Sequence, residues 1–122
     1  MTTPRRRIGD AGERLAAEYL ERRGHRVIAR NVRRREGEID LVTVDGDTLV
    51  FVEVKLRRPR DFGRAVEALT AAKRRRLQTL AEAYTAEHPE LPRTQRIDLV
   101  AIELAADGSV GDVRHIESAV EG

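Results

Sequence analysis

The stretch EIDLVTVDGDTLVFVEVKL, residues 38–56, constrains the fold of this chain more than any other part of it. Two β-rich runs flank Asp45-Gly46-Asp47, and Asp-Gly accepts the positive φ that a tight hairpin turn needs. Side chains alternate along a strand, so Val50, Val52, Val54 and Leu56 share one face while Leu49, Phe51, Glu53 and Lys55 share the other. The second run is therefore apolar on both faces until it reaches Glu53. A turn at Asp45-Gly46 puts Asp40 diagonal to Glu53, and a turn at Gly46-Asp47 puts it directly opposite. In either register Asp40 joins the face of Glu53 and Lys55.

The rest of the chain supplies a mixed set of elements. IGDAGERLAAEYLERR, residues 8–23, places Ile8, Gly12, Leu15, Ala16, Tyr19 and Leu20 on one helical stripe, with Gly24 as a stop and Glu13 at the stripe's edge. HRVIAR (25–30) predicts a short strand, and the polar NVRRREG after it predicts a loop. Beyond the hairpin, RRPRDFGRAVEAL reads as a basic connection that can start a short helix. TAAKRRRLQTLAEAYTAE (70–87) predicts a helix with Thr70 as N-cap, Leu77, Leu80, Ala81 and Tyr84 buried, and Lys73 on the same stripe. RIDLVAIEL (96–104) predicts a strand, followed by a turn and a final short strand near Arg114-His115-Ile116. The order α, β, β-hairpin, α, β, β describes a mixed α/β domain. A chain of 122 residues has room for one such core, taken here as residues 8–122 behind a flexible basic arm at 1–7.

Two carboxylates on facing strands repel unless a positive group sits between them. Mg²⁺ prefers hard oxygen ligands and uses one or two carboxylates together with substrate phosphates, which Asp40 and Glu53 can supply. Lys55 lies two residues from Glu53 on the same face, roughly 6.5 Å along the strand, where it can orient an attacking water or stabilise developing negative charge. A Glu-x-Lys pair is also common on the wet face of an antiparallel sheet. Here, however, the pair continues the face of Leu49 and Phe51, and Lys55 is lysine in a chain whose 23 basic residues include 21 arginines. Glu13 can approach the same end of the sheet from the first helix. Glu38 shares the face of Asp40 further out and is secondary, and Asp98 repeats the IDLV context without a Glu-x-Lys partner and reads as structural.

Composition narrows what such a site can be. With no cysteine there are no disulfides or thiolate zinc sites, and His25, His88 and His115 lack the close pairing of a histidine metal site, so a metal here needs oxygen ligands. Only 3% of residues are aromatic, which argues against base-stacking platforms. No segment has the run of apolar residues a membrane span needs, and a cytoplasmic location is expected. Net charge is only +2, but the basic residues cluster at 5–7, at Arg33, Arg34 and Arg35, at Arg57, Arg58 and Arg60, and at 73–76, where Lys73 is the second of just two lysines. Such runs attract a phosphate backbone, and Arg33, Arg34, Arg35, Arg57, Arg58 and Lys73 are the candidate contacts to nucleic acid.

GERLAAEYLERRG, NVRRREGEIDLVTVDGDTLVFVEVKLR, Phe62-Gly63, the helix bearing Lys73, RIDLVAI and HIESA together resemble the bacterial YraN-like proteins over nearly the whole chain. That family is similar to the PD-(D/E)xK nuclease superfamily, close in layout to archaeal Holliday junction resolvases. The resemblance implies a restriction-endonuclease-like core, a central mixed sheet flanked by helices, with the hairpin carrying the site. It matches Asp40 to the motif aspartate, Glu53 and Lys55 to the E-x-K, and Glu13 to the helix glutamate that completes the metal site. Ile39 stands where the superfamily's proline does, and Leu56 and Val32 stand where YraN-like proteins often carry threonine and an aromatic residue. Alternation points Leu56 away from Lys55. The expected activity is Mg²⁺-dependent endonuclease cleavage of DNA, with Mn²⁺ as substitute, a branched or structured substrate and a homodimer as in the resolvases. The alternative is a nucleic-acid-binding or partner-binding module that keeps the fold without cleaving.

Overall fold

The computed structural model describes residues 4–58, 67 and 69–120, with side chains from Asp10 onward. The elements run α1 (Pro4–Arg22), β1 (Arg26–Arg34), β2 (Gly37–Asp45), β3 (Thr48–Arg57), α2 (Ala71–Glu87), β4 (Thr94–Leu104) and β5 (Val110–Val120). One five-stranded sheet has the order β1-β2-β3-β4-β5, antiparallel at every step except the parallel β3–β4 pair. That parallel step needs a crossover, and α2 lies within it. The short helix expected between Arg57 and Leu69 lies almost wholly outside the described residues.

Because β3 is apolar on both faces, the sheet must be covered on both. Leu49 and Phe51 join Val42, Val44, Leu99 and Ala101 beneath Leu77, Leu80, Ala81 and Tyr84 of α2. Val50 and Val52 join Leu41, Val100 and Ile102 beneath Ala16, Ala17 and Leu20 of α1. Gly12 lets α1 approach closely, since a Cβ there would lie 3.0 Å from Leu56 Cδ2, and Leu56 points to the α1 face as alternation requires.

Several boundaries differ from the sequence reading. α1 starts at Pro4 rather than Ile8, so Arg5, Arg6 and Arg7 belong to the helix and not to an arm. Proline suits the first helical turn, where its missing N–H has no intrahelical partner to lose. β1 continues through Asn31–Arg34, expected as loop, and β5 spans 11 residues where a short strand was expected. Both are edge strands, with a burial demand too weak to write an apolar alternation into the sequence. α2 keeps Thr70 as its N-cap, the hydroxyl accepting from Lys73 N at 3.2 Å, and buries the four residues its stripe predicted.

At the turn end of the sheet a buried polar network faces α1. Asp98 is fully buried and accepts from Arg96 Nε at 3.1 Å and from Ser118 N at 3.0 Å, while His115 Nε2 lies 2.8 Å from it. Arg96 also reaches Asp45 at 2.9 Å, and His25, buried beside His115, shares a 2.8 Å hydrogen bond with Thr43. Asp98 thus ties β4 to β5 at a register shift, where Ser118 takes a positive φ of 52°.

Candidate functional site

The hairpin pairs run from Asp45↔Thr48 to Leu41↔Val52, which selects the Gly46-Asp47 turn from the two registers the sequence allows. Past Leu41 the next link is a side chain: Asp40 Oδ2 accepts from Val54 N at 2.8 Å. That bond draws the Asp40 carboxylate between the strands beside Glu53. The two line a cleft of about 180 Å³ with Glu38, Lys73, Arg76, Leu77 and Leu80, so β2 and β3 form one wall and α2 the other.

The electrostatics follow from crowding acids where water is scarce. Burial, and then the charge of Glu53, push the Asp40 carboxyl up to about 7 against the pull of its Val54 hydrogen bond. Glu53 is also raised by burial, opposed first by Lys73 and then by Lys55. Glu13, half-buried on α1, is raised by burial and by Asp40, while a hydrogen bond with the Asn31 side chain pulls it down. A cation among these groups would relieve both desolvation and repulsion.

Glu13, Glu38 and Asp40 each offer an oxygen, and these oxygens lie within 4.8 Å of one another. Glu38, secondary in the sequence reading, is thus as central as Glu13, and Glu53 lines the same cleft wall as Glu38 and Asp40. Its position two residues before Asp40 on the same strand face was the available signal. Asn31 went unnoticed: it takes a left-handed φ of 50° in β1, between the partners of Leu41 and Ile39, and so stands beside Asp40. Within an arginine-rich run nothing marks it except that asparagine tolerates that backbone.

The predicted basic residues divide. Lys73 lines the cleft, whereas Lys55 acts on Glu53 from outside the lining. Arg33 lies 3.8 Å from Glu38 at the rim, and Arg35 is exposed nearby. Arg34 is committed elsewhere, its fork gripping Glu87 of α2 at 2.6 and 3.3 Å. Arg57 ends β3 half-buried, and Arg58 faces a separate apolar groove with Leu15, Leu56 and Leu104. Among the described residues no helix is long and apolar enough to cross a membrane.

The chain is 55% identical over 103 residues to a UPF0102 protein of Symbiobacterium thermophilum, covering 84% of this chain and 87% of that one. It is 48% identical to a UPF0102 protein of Chloroflexus aurantiacus and 49% identical to one of Roseiflexus castenholzii, each alignment covering at least 98% of both chains. Residues 12–102, which hold Glu13, Asp40, Glu53, Lys55 and Lys73, match the profile described as "Uncharacterised protein family UPF0102". The chain belongs to the UPF0102 family.

Proposed function

We propose that this protein is a Mg²⁺-dependent endonuclease of the PD-(D/E)xK kind that hydrolyses phosphodiester bonds in DNA, with branched or structured DNA as the favoured substrate. The observation that carries the reading is the meeting of Glu13, Glu38 and Asp40 oxygens within 4.8 Å, where Glu38 and Asp40 line one cleft with Glu53 and Lys73. An all-oxygen donor set of this kind fits a hard divalent ion. Asp40, Glu53 and Glu13 are the ligands the family resemblance supplies, and Glu38 joins them. When bound, Mg²⁺, or Mn²⁺ in its place, would polarise the scissile phosphodiester and acidify a bound water.

The chain's own residues do the rest. Val54 N holds Asp40 in place, so its carboxylate is oriented before any ligand arrives. Lys73 sets a positive charge on the α2 wall, where it attracts a phosphate oxygen. Lys55, two residues beyond Glu53 on the same strand face, orients the attacking water or stabilises the developing negative charge. The Arg33 and Arg35 rim draws the backbone toward the cleft, and the lack of aromatic platforms favours shape over sequence in recognition. Two copies would bring two clefts to the two strands of a junction, a stoichiometry that light scattering of the DNA complex reads directly.

One feature favours a second reading, a nucleic-acid-binding module without turnover: Lys55 does not line the cleft, while Lys73 and Arg76 do. Titrating Mg²⁺ or Mn²⁺ into the wild type and an Asp40→Asn/Glu53→Gln double variant, with and without a branched DNA, separates the two. Heat of metal binding and strand cleavage, both lost in the variant, are the expected result. Equal DNA binding by both proteins, with no metal uptake and no cleavage, would replace the nuclease with the binding module.

A further inference from the structure

We propose that Arg76 is a phosphate-binding residue of the cleft and that Gly37 exists to seat it. The inference rests on the nucleic-acid reading above for the identity of the anion, and on the following geometry for the rest. Arg76 follows Lys73 by three residues on α2, a spacing that puts both on one helix face, and both line the cleft opposite Glu38, Asp40 and Glu53. Gly37 opens β2 with a φ of 148°, and a Cβ built there would lie 2.7 Å from Arg76 Cδ and 3.5 Å from its Cγ. The arginine stem therefore lies against bare backbone at the head of the strand that carries Asp40. Any other residue at 37 would be strained by that φ and would push the stem aside.

The mount is braced from its other side. Gly37 pairs with Arg34 across β1–β2, and Arg34 grips Glu87 of α2 at 2.6 Å, tying the strand end to the helix that carries Arg76. What this support holds is a guanidinium without a fixed partner. Arg34 is spent on Glu87 and Arg74 donates to Leu69 O at 2.9 Å, but Arg76 makes no hydrogen bond or salt bridge with the described residues, although its charge acts on Glu53. A planar fork held beside an acidic cleft, yet bonded to none of its acids, suits bidentate capture of phosphate oxygens, for which Lys73 is only a point charge.

The test is binding of a labelled DNA duplex across a salt series, with Ca²⁺ and again in EDTA, followed by fluorescence anisotropy. Arg76→Ala should weaken binding about tenfold, the scale of one charge-assisted bond, and lower the slope of log K against log salt by about one. Arg76→Lys should keep the slope and recover only part of the affinity. Gly37→Ala should weaken binding in the wild-type background and add nothing in the Arg76→Ala background, because it acts through that side chain. An unchanged slope in Arg76→Ala, additive losses in the double variant, or no DNA binding by the wild type would each overturn the assignment. Metal-dependent cleavage with an unaltered Arg76→Ala slope would sink this inference alone. A lowered slope in a protein that takes up no metal and cuts nothing would instead sink the catalytic reading and keep this one.

Discussion

Asp40 carries an energetic conflict that its surroundings impose and that a bound cation would resolve. Its carboxyl is pushed up to about 7, chiefly by burial and then by Glu53. A carboxyl whose folded value lies above its unfolded one binds its proton more tightly in the native state. Stability from this group is therefore full below the ordinary aspartate range and is lost as pH rises toward 7. Urea midpoints of the metal-free protein should show this fall between about pH 4 and 7, and Asp40→Asn should flatten it and stabilise the protein near neutrality by on the order of 2–4 kcal/mol. A variant that is less stable than wild type at pH 7 would show that the carboxylate is needed for more than its charge. At this scale the shared face of Asp40, Glu53 and Lys55 was legible, because strand alternation alone aligns them. The contribution of Glu38 was visible in the same alternation, whereas the contact between Asn31 and Glu13 joins a strand to a helix through a left-handed backbone and has no local signature.

The hairpin is the element whose details decide the site. Its turn places Gly46 at φ 62° with nothing within 4 Å of where a Cβ would stand. The cost of a side chain there is thus backbone strain alone. Gly46→Ala should lose about 1–2 kcal/mol by chemical denaturation, and Gly46→Asn clearly less, since asparagine tolerates that region. Equal losses would point to a contact at the turn rather than to φ. Register was left between two choices by the sequence, because Asp45-Gly46-Asp47 offers two adjacent two-residue turns with the same facing pattern. The strands most shortened in reading, β1 and β5, are the two sheet edges. Arg33, Arg34 and Arg35 look like loop until Val32 is seen to be the one buried residue beside them, supporting a strand end whose arginines meet water.

Across the whole molecule two apolar layers and one polar network set stability. Asp98 is lowered from the ordinary aspartate value: its burial pushes the other way, but hydrogen bonds with His115, Ser118 N and Arg96 outweigh it. A depressed carboxyl contributes stability above its unfolded value that disappears as pH falls through the folded one. His25 is lowered mainly by burial, so its contribution is present above the ordinary histidine value and also lost on acidification. Acid unfolding should thus begin in this network, and Asp98→Asn should cost roughly 3–5 kcal/mol at pH 7 by removing the buried anion on which Arg96, His115 and Ser118 N converge. The difference from wild type should shrink toward pH 3; a constant difference would assign the loss to packing. The sequence by itself determined the α/β order, the doubly apolar β3, the buried stripe of α2 and the shared face of Asp40, Glu53 and Lys55, because these follow from periods of 2 and 3.6 residues along a continuous chain. Only the tertiary structure decided that Glu38 and Glu13 meet at Asp40, that Arg34 is spent on Glu87 while Arg76 stands over Gly37, and that Asp98 gathers His115, Arg96 and Ser118. Those contacts join elements far apart in sequence, and their distances are set by how the two helices settle on opposite faces of one sheet.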